Sequence, residues 1–264
     1  MITDSEFVRN YDWLMLDGEA NRLYGDSGFF NVGYWLPSTN DQLTACETLI
    51  KRLLKPVPAT AKRVLDVACG CGGVTRCLKN HFPAGEVIGI NISMRQLQNC
   101  RVRAHGCDFA LMDAAQIAFR HESFDCVVCV EAAFHFNTRK SFVKDAWRIL
   151  RPGGFLVISD ILFHNATWIG AWMMPTANIV SDLKSYRSLF TCAGFPDAKV
   201  VDATEECWNA FCRHHMRWTE IDFRAGKTDE KSYKARMYYL EGLLYESLGY
   251  YILLTAQKPV IPIP

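Results

Sequence analysis

The residues best placed to do chemistry lie in one short stretch, where Asp66, Gly70 and Gly72 have the spacing D-x-x-x-G-x-G. An apolar run before the bend predicts a buried strand, and a helical pattern follows it. Glycine lacks a Cβ, so it accepts positive φ and lets a ligand lie against the backbone. The following helix points free N–H groups and the positive end of its dipole at such a ligand. The pattern therefore predicts the first strand, turn and helix of a nucleotide-binding α/β unit.

Two classes of ligand fit a bend of this kind. A dinucleotide needs G-x-G-x-x-G with a pyrophosphate over the helix end, but position 75 is Thr. The Asp66 carboxylate is predicted to face the pocket, where it would repel pyrophosphate and attract the sulfonium and ammonium groups of S-adenosylmethionine. An NADP-dependent oxidoreductase stays open as the alternative, because Asn91, Ser93 and Arg95 could bind a 2′-phosphate.

Residues 64–73, VLDVACGCGG, resemble the first motif of the class I S-adenosylmethionine-dependent methyltransferases. Residues 89–97, GINISMRQL, and residues 150–154, LRPGG, resemble later segments of the small-molecule subgroup that methylates sugars and other natural products. The resemblance implies S-adenosyl-L-methionine as cofactor. It also implies an α/β fold with a Rossmann-like, doubly wound, mostly parallel seven-stranded sheet, an N-terminal helical lid and a helical cap inserted after strand 5.

The resemblance also indicates which residues bind the cofactor. Asn91 departs from the acidic residue usual at the end of the second strand, and its amide can still bond ribose hydroxyls. The aromatic stretch from 24 to 35 is predicted to form the lid, with Tyr34 near the methionine end of the cofactor. The predicted cofactor-binding residues are Tyr34, Asp66, Ala68, Gly70, Gly72, Asn91, Ile92, Gln96, Asp113, Ala114 and Glu131.

Methyl transfer to a hydroxyl group needs a base, and His135 follows the predicted fourth strand at the edge where open α/β sheets bind ligands. Asp160, after the fifth strand, is predicted to orient His135 or the substrate, and His164 is the reserve base. The aromatic segment after that strand is predicted to line the substrate pocket. The predicted substrate-binding residues are Phe134, Phe163, Trp168, Trp172 and Met173. O-methylation of a small molecule is favoured, while C- and N-methylation stay open.

The chain of 264 residues is predicted to form a single methyltransferase domain. Its parts are a lid and helix at 1–58, a cofactor-binding core at 59–160, a substrate cap at 161–182 and the rest of the fold at 183–264. A net charge of +1 argues against a nucleic-acid partner. No apolar run is long enough for a membrane span, the cysteines are expected to be reduced in a cytoplasmic protein, and a homodimer stays open. No metal site is predicted, because Cys126 and Cys129 should point to opposite faces of a strand.

Overall fold

The computed structural model describes residues 5–18, 21–165, 167, 174–180 and 182–260. A seven-stranded sheet in the order β3-β2-β1-β4-β5-β7-β6 organises them. The strands are β1 (Arg63–Val67), β2 (Glu86–Asn91), β3 (Asp108–Leu111), β4 (Phe124–Val130), β5 (Leu150–Phe163), β6 (Lys199–Asp202) and β7 (Leu248–Gln257). The strands from β3 to β5 pair in parallel, and β7 runs antiparallel to β5 and β6. The predicted fold class is confirmed.

Helices cover both faces of this sheet and the edge at which the parallel strands end. They are α1 (Glu6–Asp12), α2 (Asn21–Tyr24), α3 (Gln42–Leu54), α4 (Gly73–His81), α5 (Met94–Arg103), α6 (Arg139–Ile149), α7 (Leu183–Cys192), α8 (Ala210–Arg224) and α9 (Glu230–Gly242). Side-chain caps start several of them: Asp41 accepts a hydrogen bond from the Thr44 N–H and Ser93 accepts one from the Gln96 N–H. These caps satisfy backbone donors that have no partner inside the helix.

The alternation of side chains along the central strands creates two hydrophobic cores. Val64 of β1 packs into the core that contains Leu49 of α3, whereas Leu65 packs into the core that contains Phe142 of α6. Cys126 and Cys129 of β4 also fall into different cores, as a strand period of two requires. All eleven cysteines are free thiols.

The fifth strand is longer than the prediction allowed. Asp160 was placed after it and the cap was placed from residue 161, but β5 runs from Leu150 to Phe163 and so contains Asp160 and the first three residues of the predicted cap. Antiparallel pairing with β7 extends it, from Phe155 opposite Gln257 to Phe163 opposite Leu248. No helix within the described part of the chain is long and apolar enough to cross a membrane.

Candidate active site

A cavity of about 580 Å³ opens at the carboxyl ends of β1, β2 and β4, and α1 borders it. Nine of the residues predicted for catalysis or cofactor binding line it. They are Ala68, Gly70, Asn91, Ile92, Gln96, Asp113, Ala114, Glu131 and His135. The strand order brings them together, because the ends of neighbouring parallel strands meet at one edge of the sheet.

The bend after β1 has the conformation that its glycines permit. Gly70 has φ +55° and lines the cavity. Gly72 has φ +91°, and a Cβ on it would lie 3.0 Å from the Cα of Cys100, so it allows α5 to pack closely. Ala68 adopts φ 59° without being glycine. Such a conformation costs about 1–3 kcal/mol and tends to occur at ligand sites.

The N-terminal segment covers the place where a dinucleotide would put its pyrophosphate. The Gly73 N–H, in the first turn of α4, donates to the carbonyl of Gly28 at 3.1 Å. A Cβ on Gly73 would lie 2.6 Å from the backbone nitrogen of Phe29. The start of α4 is therefore occupied by protein backbone, and a phosphate pair has no room against it.

Asp66 does not face the cavity, contrary to the prediction. It is 1% exposed and accepts a hydrogen bond from the Thr75 hydroxyl at 2.6 Å. Strand alternation puts it on the α4 face of β1, below the bend. Burial raises the pKa of Asp66 to about 7. This hydrogen bond connects β1 to α4, and a carboxylate that does line the cavity comes from the end of another strand.

Glu131 supplies that carboxylate, from the residue directly after β4. Its oxygens accept the Val32 N–H at 3.0 and 3.1 Å, and Oε1 accepts the Tyr251 hydroxyl at 2.6 Å. The backbone of Glu131 is left-handed, with φ 51°, which turns the side chain toward the cavity that it lines. Burial raises the pKa of Glu131 to about 8, although the two hydrogen bonds oppose the shift.

At the end of β2, an amide network replaces the usual single acid. Asn91 Nδ2 donates to Gln96 Oε1 at 2.8 Å, and Gln96 Nε2 donates to Asp12 Oδ1 at 2.8 Å. The Ser93 hydroxyl donates to the same Asp12 oxygen at 2.6 Å. The carboxylate of this network thus belongs to α1, so α1 and the cavity wall at the end of β2 share one set of hydrogen bonds.

His135 lies on the cavity wall beside the lid. Its Nε2 is 2.7 Å from the hydroxyl oxygen of Tyr11, and its ring packs against Phe7 and Phe134. Burial, followed by the nearby Glu131 charge, raises the pKa of Tyr11, so the phenol stays protonated. The direction of this hydrogen bond depends on the tautomer of the imidazole: with the ring proton on Nδ1, the phenol donates and Nε2 accepts.

The other predicted catalytic residues lie away from His135. Asp160 is fully buried and pairs with the Arg139 guanidinium at 2.7 Å, so its predicted contact with His135 is replaced by an ion pair. His164 is exposed and packs near Gly249, outside the cavity lining. Phe134 and Phe163 are buried and meet edge to face at 5.4 Å, behind His135 rather than in the cavity wall.

Tyr34 and the cap residues complete the comparison with the predicted site. Tyr34 is buried outside the lining, and the Arg52 guanidinium lies 4.3 Å from its ring centroid. Gly72, as described above, contacts α5 instead of the cavity. Trp168, Trp172 and Met173 fall outside the residues that the structure describes.

Sequence reasoning missed three polar residues of the N-terminal segment, Tyr11, Asp12 and Asn31. Asn31 is 2% exposed and lines the cavity, and neither atom of its side-chain amide has a partner among the described residues. A buried amide without partners is costly unless a ligand bonds it. The only sequence feature that pointed to Asn31 was its position within the aromatic stretch predicted to form the lid.

The described residues contain no group of three or more His, Cys, Asp or Glu side chains that could hold a metal ion.

Comparison with known proteins identifies the family. The family described as "Methyltransferase domain" matches residues 65–158. Methyltransferase GfsG of Streptomyces halstedii is 32% identical over 71% of this chain and 74% of its own. An O-methyltransferase of Pyrenophora dematioidea is 27% identical over 88% of this chain and 90% of its own. The fold matches the cyclopropane synthase MmaA2 of Mycobacterium tuberculosis with a TM-score of 0.76 and 15% identity, over 96% and 99% of the chains.

The chain belongs to the class I S-adenosylmethionine-dependent methyltransferases, and it is a small-molecule enzyme of that class. The oxidoreductase alternative is wrong. The residues of the cavity also fit this cofactor, because a glycine bend, Asn31 with its unpartnered amide, and Glu131 all line it.

Proposed function

We propose that this enzyme transfers the methyl group to a hydroxyl oxygen of an uncharged small molecule, with His135 as the general base. The observation that carries the proposal is the 2.7 Å contact between His135 Nε2 and the Tyr11 hydroxyl on the cavity wall. S-adenosylmethionine supplies an electrophilic methyl group on a sulfonium. The protein has to bind donor and acceptor in line, exclude water and accept the hydroxyl proton.

The amino-acid end of the cofactor is assigned to Asn31 and Glu131. The Asn31 amide can donate to a carboxylate, and the Glu131 carboxylate can accept from an ammonium group. Both residues line the same cavity, and Val32, which follows Asn31 in the chain, donates its backbone N–H to Glu131. Ribose is assigned to the network of Asn91 and Gln96, and the adenine to Asp113 and Ala114.

The acceptor is assigned to the part of the cavity between α1 and His135, where Phe7, Val8 and Phe136 line the wall. None of the described lining residues is a lysine or an arginine. The stretches outside the description contain no lysine or arginine in their sequence. A phosphorylated or carboxylated acceptor would have no positive partner here, and an uncharged molecule avoids that cost.

The proton leaves through the Tyr11–His135 pair. As the acceptor oxygen attacks, its proton moves to the Tyr11 oxygen while the phenol proton moves to His135 Nε2. Tyr11 ends the step neutral, and the imidazole carries the charge.

Two histidine variants test this role. His135→Ala should lower methylation of a neutral phenol such as 7-hydroxycoumarin by about 10²-fold or more. Affinity for S-adenosylhomocysteine, measured by calorimetry, should stay unchanged. The control is His164→Ala, which alters an exposed histidine outside the cavity. Equal turnover by the His135→Ala variant and the wild type would show that His135 is not the base. Methylation of 7-aminocoumarin but not of 7-hydroxycoumarin would assign nitrogen as the acceptor atom.

A further inference from the structure

A side chain from the segment after β5 holds the turn that carries His135. Asn178 ends a short 3₁₀ turn, Thr176–Asn178, and is 2% exposed. Its Nδ2 donates to the carbonyl of Phe134 at 2.9 Å and to that of Phe136 at 2.6 Å. These carbonyls flank His135, so one amide group bonds the backbone on both sides of the imidazole-bearing residue.

The first turn of α6 fixes the orientation of that amide. Asn178 Oδ1 accepts the backbone N–H of Arg139 at 2.9 Å. The backbone carbonyl of Asn178 accepts a further bond from the Arg139 guanidinium. Because Oδ1 is bound to an N–H donor, Nδ2 has to face the two carbonyls.

Arg139 is itself fixed by the buried ion pair with Asp160. Its Nε lies 2.7 Å from Asp160 Oδ2, and its Nη2 donates to the carbonyl of Ile161 at 2.8 Å. The Tyr186 hydroxyl donates to the same Asp160 oxygen at 3.0 Å. Both ionic side chains are almost wholly buried, so neither can replace this ion pair with contacts to water.

We propose that Asn178 is a positioning residue for His135, and that it couples the segment after β5 to the imidazole. Asn178 also belongs to residues 161–182, which the sequence predicts as the substrate cap. The effect on catalysis rests on the proposed function, since it requires His135 to be the base. The effect on the position of the His135 ring does not depend on that function. A base displaced by about 1 Å loses about 10²-fold in rate.

The positioning is measured by NMR of the protein with [¹³Cε1]histidine, in complex with S-adenosylhomocysteine. The His135 signal is assigned by its loss in His135→Ala. Its chemical shift depends on the ring of Phe134, whose centroid lies 3.7 Å from that of the imidazole. In Asn178→Ala, which removes the amide, we expect the His135 signal to move or broaden while affinity for S-adenosylhomocysteine stays unchanged.

Asn178→Asp keeps an acceptor for Arg139 but loses both donors, so it is the variant to measure if the alanine variant does not fold. The matched control is Asn209→Ala, which removes a partly buried asparagine far from His135 in the sequence and bonded to Glu205. It should leave the His135 signal in place. An unmoved signal in both Asn178 variants would overturn the proposal. Loss of S-adenosylhomocysteine binding by both would also overturn it, since Asn178 would then support the fold as a whole.

Turnover of 7-hydroxycoumarin adds the functional readout. Each Asn178 variant should lose about 10²-fold in kcat, and should lose nothing further when combined with His135→Ala. A full additional loss in the His135→Ala background would contradict the coupling. If the wild-type enzyme methylates no hydroxyl group, the proposed function fails, and the NMR experiment still decides whether Asn178 positions His135.

Discussion

Asp66 and Glu131 lie near the carboxyl ends of two neighbouring strands, and they have different environments. Asp66 is still inside β1, opposite Val128 of β4, so the strand period directs it to the α4 face and to Thr75. Glu131 is one residue beyond β4, where a left-handed φ of 51° directs it to the cavity. The direction of an acidic side chain within a strand is therefore set by the alternation of the strand, whereas the direction of one just after the strand is set by the backbone angles of the turn.

The largest expected effect is on the affinity for S-adenosylmethionine, which should depend on Glu131 but not on Asp66. Glu131→Gln should weaken S-adenosylmethionine binding by at least about tenfold, because hydrogen bonds to a charged group contribute about 1.5–3 kcal/mol. Asp66→Asn should leave the dissociation constant almost unchanged. Calorimetry measures both. 5′-Methylthioadenosine, which lacks the amino-acid end, serves as the control ligand, and an equal loss of its affinity would mean that Glu131 acts on the fold rather than on the ammonium group.

The pH dependence of stability should show both acids in the ligand-free protein. Burial raises the pKa of Asp66 from 3.8 to about 7 and that of Glu131 from 4.5 to about 8. The folded chain then binds protons that the unfolded chain has released. The free energy of unfolding therefore falls as the pH rises through these windows, by up to about 1.4 kcal/mol per pH unit for each group.

Urea unfolding between pH 5 and 8 measures that slope. Asp66→Asn and Glu131→Gln should each flatten it, because an amide cannot ionise. A wild-type protein whose stability rises from pH 5 to 7 and whose slope neither variant changes would contradict the assigned burial of both acids.

A smaller effect is expected on the stability of α1, which Asp12 connects to the residues that follow β2. Asp12→Ala leaves the Ser93 hydroxyl and the Gln96 amide without their acceptor. We expect amide hydrogen exchange in α1 to accelerate by about fivefold, equivalent to about 1 kcal/mol. Exchange in α3 should not change. Acceleration throughout the chain would show that Asp12 stabilises the whole domain rather than the lid.

The smallest effect is expected from the neighbouring acid of the same lid. Asp17 pairs with Arg95 at 3.2 Å, and both side chains are about half exposed. An ion pair in water gains little, so Asp17→Ala should change exchange in α1 by less than about threefold. A larger acceleration than that of Asp12→Ala would mean that Asp17, and not Asp12, holds α1 in place.

More of the residues predicted for cofactor binding than of those predicted for the substrate line the cavity. Gly70, Asn91 and Asp113 belong to short strand–turn units, in which a few consecutive residues determine where the backbone goes. Their places at the cavity follow from local patterns and parallel strand order. The predicted partnership of Asp160 with His135 needed contacts between distant segments, and the structure pairs Asp160 with Arg139 instead.

The sequence alone determined the class of fold, the glycine bend and the set of strand ends that form the cavity, because strand periods and turns depend on residues a few positions apart. Only the tertiary structure decided which of the two acids, Asp66 or Glu131, lines the cavity and which side chain contacts His135. Tyr11 and His135 are 124 positions apart, and Val32 and Glu131 are 99 apart. Such pairs form only when the N-terminal segment packs over the sheet edge, and no local pattern encodes that packing.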